Sequence, residues 1–251
     1  MFAEERRMKI LDIINSGKAV TVEELSRNMD VSESTVRRDL RYMEDKGLIH
    51  RTHGGAMNPL PADYEPTFTE KQEEMTEEKK AIGIRAASLI EDGDTVVIDS
   101  GTTTMEIIRN LNVNRAMIIT NSPHAAIELQ HRQGIEAVLA GGTLRYETLA
   151  LVGPIADELF RRVKADKAFI GANGISLDGF MTPNMTEAAT KRSMLRSAEK
   201  VYVVADSSKF NKSSLMRFAD LDEVDGIITD HKLPEDIYNE FSQSGSEIIR
   251  V

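Results

Sequence analysis

The 251-residue chain contains no cysteine, which excludes disulfides, thiolate metal sites and cysteine nucleophiles. No apolar run approaches the roughly 20 residues of a membrane span, and the first residues are charged rather than signal-like. The expectation is a soluble, cytoplasmic protein with no membrane partner. Histidine is scarce, at five residues, and nothing in the sequence marks a metal site or a bound cofactor. Basic charge is also in deficit: 31 Lys+Arg stand against 41 Asp+Glu, a net charge of −10. That balance argues at first against a nucleic-acid partner. Residues 1–57, however, hold 10 basic and 10 acidic side chains, so the whole deficit lies in the remainder, 21 against 31. A locally basic face on a neutral N-terminal domain suits DNA, and an acidic body limits non-specific adhesion.

Residues 20–56 carry the densest pattern, VTVEELSRNMDVSESTVRRDLRYMEDKGLIHRTHGGA. Thr21 with Glu24 three residues on forms a capping-box signature, and Val22, Leu25 and Met29 follow at helical spacing. Asp30 and Val31 make a turn, and Ser32 is placed to N-cap a second helix over residues 32–46. On that helix Val36, Leu40 and Met43 share one side, while Ser34, Arg37, Arg38 and Arg41 lie on the other. Three guanidiniums and a hydroxyl on one face are what a major-groove recognition helix needs. Gly47 suits the position after a helix, where φ is positive. Leu48 and Ile49 can return the chain as a strand, and Gly54-Gly55 suits a hairpin tip. A basic hairpin after a recognition helix describes a winged helix-turn-helix; the alternative is an αα-hairpin with solvated arginines. The DNA-contacting set read from this segment is Thr21, Ser32, Ser34, Thr35, Arg37, Arg38, Arg41, Arg51, His53 and Gly54. A first helix at residues 4–15 supports the motif through Ile10, Leu11, Ile13 and Ile14.

Residues 58–75 hold three of the seven prolines and few periodic apolar positions, which reads as an extended, semi-stiff linker. Beyond it, helices alternate with short apolar strands: TVVID, AMIIT, EAVLA, KAFIGA, KVYVVA, DGIIT and the terminal EIIRV. Strands without internal alternation, separated by helices, predict a mainly parallel sheet covered on both faces, in a domain over residues 76–251. Ligands in such sheets bind at the carboxyl ends of the strands. The loops there are Asp99-Ser-Gly-Thr-Thr-Thr, Thr120-Asn-Ser, Gly141-Gly-Thr, Gly171-Ala-Asn-Gly and Asp206-Ser-Ser-Lys. Nearly all are small, polar or glycine.

Gly101 allows close backbone approach, and the amides of Thr102, Thr103 and Thr104 open a helix that can cradle a phosphate. Simple N-capping is the competing reading of each such loop. Asp99 beside a phosphate would be repulsive, so it accepts from sugar hydroxyls or caps the following helix. Lys209 sits at a strand end where an ammonium can reach an anion. Arg145, and Lys191 one turn beyond Glu187, read equally as ligand contacts or as ordinary surface pairs.

SESTVRRDL, RTHGGA, DGDTVVIDSGTTT, LAGGTLR with a later LVGP, DKAFIGANGIS, TEAATKRSM and ADSSKF, taken in order, resemble the DeoR family of bacterial transcriptional repressors, of the glycerol-3-phosphate regulon repressor type. The resemblance covers almost the whole chain. It implies an α/β fold class: an N-terminal winged helix-turn-helix plus an effector domain similar to ribose-5-phosphate isomerase. It implies a repressor of a sugar or polyol operon, released from double-stranded operator DNA by a phosphorylated sugar. It also implies that Asp99, Ser100, Gly101, Thr102, Thr103, Thr104, Asn121, Gly141, Gly142, Asn173, Glu187, Lys191 and Lys209 line the sugar-phosphate pocket. A homodimer or homotetramer is expected from the half-site geometry of such readers. The competing class is a phosphosugar isomerase fused to a DNA-binding module, with Glu187 as base and Lys209 polarising the carbonyl. No catalytic residue is assigned, since among the strand-end loops only His124 supplies a histidine, in a first helical turn.

Overall fold

The structure, a computed structural model, describes residues 2–15, 20–52, 54–57 and 65–251. It divides into two units, Met1–Tyr64 and Glu65–Val251.

In the N-terminal unit, α1 (Ala3–Asn15) precedes a short strand β1 (Val20–Thr21), α2 (Val22–Met29) and α3 (Glu33–Asp45). A hairpin follows, β2 (His50–Thr52) and β3 (Gly55–Met57). The amphipathic spacing of the sequence is realised: Ile10, Ile14, Leu25, Val36, Leu40 and Met43 are buried together. Asp30 (φ 51°) takes the left-handed conformation between α2 and α3, as Asp tolerates. Gly47 (φ 69°) does so after α3. The wing differs from the expected Gly54-Gly55 tip. Gly55 lies inside the sheet, opposite Thr52 on one side and Thr21 on the other. A Cβ on it would stand 1.9 Å from the Val20 carbonyl oxygen, so this glycine admits a third strand rather than turning the chain.

The second unit opens with α4 (Phe68–Glu73), inside the stretch read as an extended linker. Thr67 and Glu70 form a full capping box there, and Phe68 is buried. That apolar anchor and cap overcome the proline-rich context. Next come α5 (Thr76–Ala87), β4 (Thr95–Ile98), α6 (Thr102–Arg109), β5 (Ala116–Thr120), α7 (Pro123–Glu128) and β6 (Ile135–Leu139). A hairpin, β7 (Thr143–Arg145) and β8 (Ala150–Val152), leads to α8 (Pro154–Arg162) and β9 (Ala165–Gly171). The chain continues through β10 (Gly174–Ser176), β11 (Gly179–Thr182), α9 (Met185–Leu195), β12 (Ala198–Val204) and β13 (Met216–Ala219). It closes with β14 (Gly226–Thr229), α10 (Glu235–Gln243) and β15 (Ile248–Arg250).

Seven strands form one sheet in the order β15-β14-β12-β9-β4-β5-β6, every pair parallel. Both faces are buried, which is why the strands read as unbroken apolar runs. Val97, Ile119, Ala168, Ile170, Val203 and Ile227 pack on one side with Phe160 of α8 and Phe241 of α10. Val96, Ile98, Ile118, Phe169 and Ile228 pack on the other with Ile82 of α5 and Ile107 of α6. Each fully buried aromatic such as Phe169 contributes about 1.5–3 kcal/mol of burial free energy. The sequence reading did not anticipate the antiparallel β7-β8 ribbon or the small β10-β11-β13 sheet. Among the described residues, no helix is long and apolar enough to cross a membrane.

Candidate nucleic-acid interface and ligand cleft

The two reader helices are fixed by their caps. Thr21 Oγ1 accepts from the Glu24 N–H at 3.1 Å, and the Glu24 carboxylate accepts from the Thr21 N–H at 2.9 Å. Ser32 Oγ accepts from the Thr35 N–H and contacts the hydroxyls of Ser34 and Thr35. The hydroxyls of Thr21 and Ser32 are thus engaged in holding α2 and α3. Ser34, Arg37, Arg38 and Arg41 stand exposed on α3, opposite the core. Arg37 pairs with Glu33 at 3.1 Å and Arg51 with Glu44 at 3.1 Å. Arg38 and Arg41 have no carboxylate within salt-bridge distance among the described residues. The Gly54 carbonyl accepts from the Val22 N–H. His53 lies outside the described residues.

One buried ion-pair residue escaped the sequence reading. Asp39, 2% exposed on the core side of α3, accepts from Arg6 Nε at 2.5 Å and Arg7 Nε at 2.9 Å. The Arg7 guanidinium also stacks 3.8 Å above the Tyr42 ring. An acidic residue on the apolar side of a helix demands such partners, and that was the available signal. Asp39 ties α1 to α3. Asp39→Ala leaves two guanidiniums without their shared acceptor, an expected loss of about 1.5–3 kcal/mol. Amide hydrogen exchange should speed up in α1 and α3 and stay unchanged in the parallel sheet.

In the second unit a cleft of about 610 Å³, including its open mouth, lies at the carboxyl ends of β4, β9 and β12. Its wall includes Asp99, Ser100, Gly101, Thr102, Thr103, Asn173, Glu187, Lys191 and Lys209 from the residues read in the sequence. Phe68 and Lys71 of α4, Lys79 of α5 and Thr148 of the β7-β8 connection also line it, all four missed by sequence reasoning. Thr104, Asn121, Gly141, Gly142 and Arg145 are not among the lining residues. Thr104 Oγ1 instead donates to the carbonyls of Asp99 and Gly101, and Asn121 donates to the Leu151 carbonyl. The competing capping reading holds for two loops: Ser122 caps α7 and Asp206 caps the turn Ser207–Lys209.

Asp99 does not cap α6. Gly101 occupies that N-cap position, and no side chain caps the helix, leaving first-turn amides available to an anion. Asp99 Oδ2 accepts from the Gly171 N–H and the Lys191 ammonium. Lys191 also donates to the Gly171 carbonyl at 3.0 Å and lies 3.8 Å from Glu187. Far from a surface pair, Lys191 and Glu187 are buried. Burial pushes the Glu187 carboxyl up, Asp99 adds to the shift, and Lys191 and Arg145 oppose it. Burial opposes charge on Lys191, but Asp99 and Glu187 outweigh it and hold its proton above the ordinary lysine range.

Lys79 and Lys209 bring two further cations to the cleft wall. Burial pushes the Lys79 ammonium down; Asp206 opposes the shift and Lys209 adds to it. Two ammoniums within electrostatic reach of each other, beside uncapped helix amides, favour an anion between them. Thr148 Oγ1 is buried and without a hydrogen-bond partner among the described residues, so it offers a hydroxyl to a polar ligand. His124 stacks on Phe68 at 5.3 Å, behind this wall. No group of three His, Asp or Glu that could hold a metal exists among the described residues.

Residues 6–59 match the DeoR-like helix-turn-helix domain and residues 74–231 the DeoR C terminal sensor domain. The HTH-type transcriptional regulator GlpR of Haloferax volcanii is 40% identical over 99% of this chain and 98% of its own length. The lactose phosphotransferase system repressor of Lactococcus lactis is 35% identical over 97% of each. Ribose 5-phosphate isomerase a from Methanocaldococcus jannaschii shares 18% identity at a TM-score of 0.37, over 53% of each chain. So distant a structural likeness carries no weight, and the fold stands on the sheet topology itself.

Proposed function

We propose that this chain, which belongs to the DeoR family of transcriptional repressors, leaves double-stranded operator DNA when a phosphorylated sugar fills the cleft. The observation that carries this reading is the uncapped start of α6, which lines one cleft with Lys79 of α5 and Lys209. The phosphate meets those amides and ammoniums; Asn173, Thr148 and Asp99 of the same wall offer groups for sugar hydroxyls. The regulated genes belong to sugar or polyol catabolism, in keeping with a relative named for a lactose phosphotransferase system. The protein acts in the cytoplasm as a homodimer or homotetramer, its paired readers meeting half-sites about one helical turn, or a multiple of it, apart. The Glu187 carboxylate that an isomerase would need as base is engaged by Arg145 and Lys191, which favours binding over turnover.

The test is a thermal-shift screen of phosphorylated sugars and polyols, where a ligand at 100 times its Kd adds roughly 2.7 kcal/mol. A panel without any stabilising member removes the reading. On the DNA side, Arg38→Ala is expected to cost about 1–3 kcal/mol of operator discrimination where the guanidinium meets a base edge. A phosphate contact instead weakens all sequences alike and flattens the salt slope by about one unit. Competition binding against mismatched operators distinguishes the two. Unchanged operator affinity removes Arg38 from the reader.

A further inference from the structure

Glu65 is the first residue of the second unit, and its carboxylate is turned inward. One oxygen lies 3.2 Å from Lys71 Nζ, the other 2.6 Å from Arg145 Nη2. Its side chain is 9% exposed. Neither cation belongs to Glu65 alone. Lys71 lines the cleft, and the same Arg145 guanidinium donates through Nη1 to Glu187, a cleft wall residue. The backbone around Glu65 is held to the same region. The Phe68 N–H donates to the Glu147 carbonyl at 2.6 Å, and Glu147 itself lies 3.5 Å from Arg145. Lys79 donates to the carbonyls of Lys71 and Glu74, clasping the end of α4. A carboxylate from the point where the chain enters this unit therefore occupies cations at the margin of a ligand cleft.

Resting on the reading of the cleft as an effector site, we infer that Glu65 is the resident occupant of a second anion subsite, made by Lys71 and Arg145 and distinct from the α6 amides, and that a second anionic group of the effector displaces it. A phosphate monoester carries a charge of about −1.5 to −2 near pH 7, against −1 for a carboxylate, so it draws the same cations more strongly. Arg145 presents a planar fork that a phosphate takes up as readily as a carboxylate. Once Glu65 is displaced, its two ion pairs are lost, and the segment entering α4 is held by the Phe68 anchor, its backbone tie to Glu147 and the α4 cap. The displacement is thus an exchange of anions, with Arg145 as the positioning residue that links Glu65 to Glu187.

The experiment is calorimetric titration of the full chain with inorganic phosphate, for wild type, Glu65→Gln and the double variant Glu65→Gln/Lys71→Gln. Glu65→Gln keeps the side-chain shape and removes the competing charge. It is expected to bind phosphate about tenfold more tightly than wild type, equivalent to about 1.4 kcal/mol, and the double variant to lose that gain. Glu65→Gln should also bind operator DNA more weakly than wild type without any ligand. Phosphate affinity equal to or below wild type in Glu65→Gln overturns the inference while leaving the cleft an effector site, provided sugar phosphates still stabilise the protein. Phosphate bound by none of the three, with no stabilising sugar phosphate, overturns both.

Discussion

Gly101→Val is expected to give a protein that holds its operator and no longer releases it. Gly101 takes φ −71° and ψ 161°, a conformation open to any residue. A Cβ there would lie no closer than 3.4 Å to its nearest neighbour, Thr104 Oγ1, an ordinary contact. The fold therefore does not require glycine at this position. A valine side chain would project where the α6 amides meet the cleft and exclude the phosphate. Thermal stability should match wild type, while stabilisation by the inducing sugar phosphate disappears. Lys209→Ala, which removes one charge-assisted contact worth about 1.5–3 kcal/mol, should weaken the effector without blocking it. In a cell Gly101→Val is a super-repressor. Normal release by both variants would place the effector elsewhere and reduce the strand-end loops to turns and caps.

Lys191→Ala is expected to be the most destabilising single change in the cleft. The ammonium is 4% exposed and stands between Asp99 at 1% and Glu187 at 6%. Removing it leaves two buried carboxylates facing each other without their shared cation, a loss on the order of 3–5 kcal/mol. The loss depends on pH in a definite direction. Burial already raises the folded-state pKa of Glu187, and losing Lys191 raises it further. A carboxyl with a raised folded pKa takes up protons on folding, so its penalty is full above that value and disappears as pH falls through it toward the ordinary carboxylate range. Urea denaturation should show a smaller deficit at pH 5 than at pH 8. Equal deficits at both would mean that Asp99 and Glu187 do not feel the ammonium.

The contrast between these two positions explains how much the sequence could say. The strand, small loop and helix start around Gly101 were legible because they sit within a few residues. The same holds for the Thr21–Glu24 box, the Ser32 cap and the Val36-Leu40-Met43 face, all found where the spacing placed them. The burial of Lys191 and its pairing with Asp99 were not legible. Its i,i+4 relation to Glu187 looks the same on a surface or in an interior, and the partner that decides the matter, Asp99, is 92 residues away. Asp39 was hidden for the same reason, its partners lying on α1. The helix α4 was marked by Thr67 and Glu70, yet the surrounding prolines pointed the other way. The small β10-β11 pair turns at Leu177-Asp178 ahead of Gly179 (φ 120°), an Asp-Gly signal too short to stand out beside the long apolar runs.

If the cleft and the DNA-binding helices are thermodynamically coupled, effector and operator must each weaken the binding of the other. An operator fragment is selected from random DNA by the protein itself, and a stabilising sugar phosphate is taken from the thermal-shift panel. Affinity for that sugar phosphate is then measured by calorimetry with and without saturating operator. Effector binding is expected to be weaker on the operator complex, by the same factor by which the effector weakens operator binding, typically about 5–150-fold. Equal effector affinity with and without operator would contradict it.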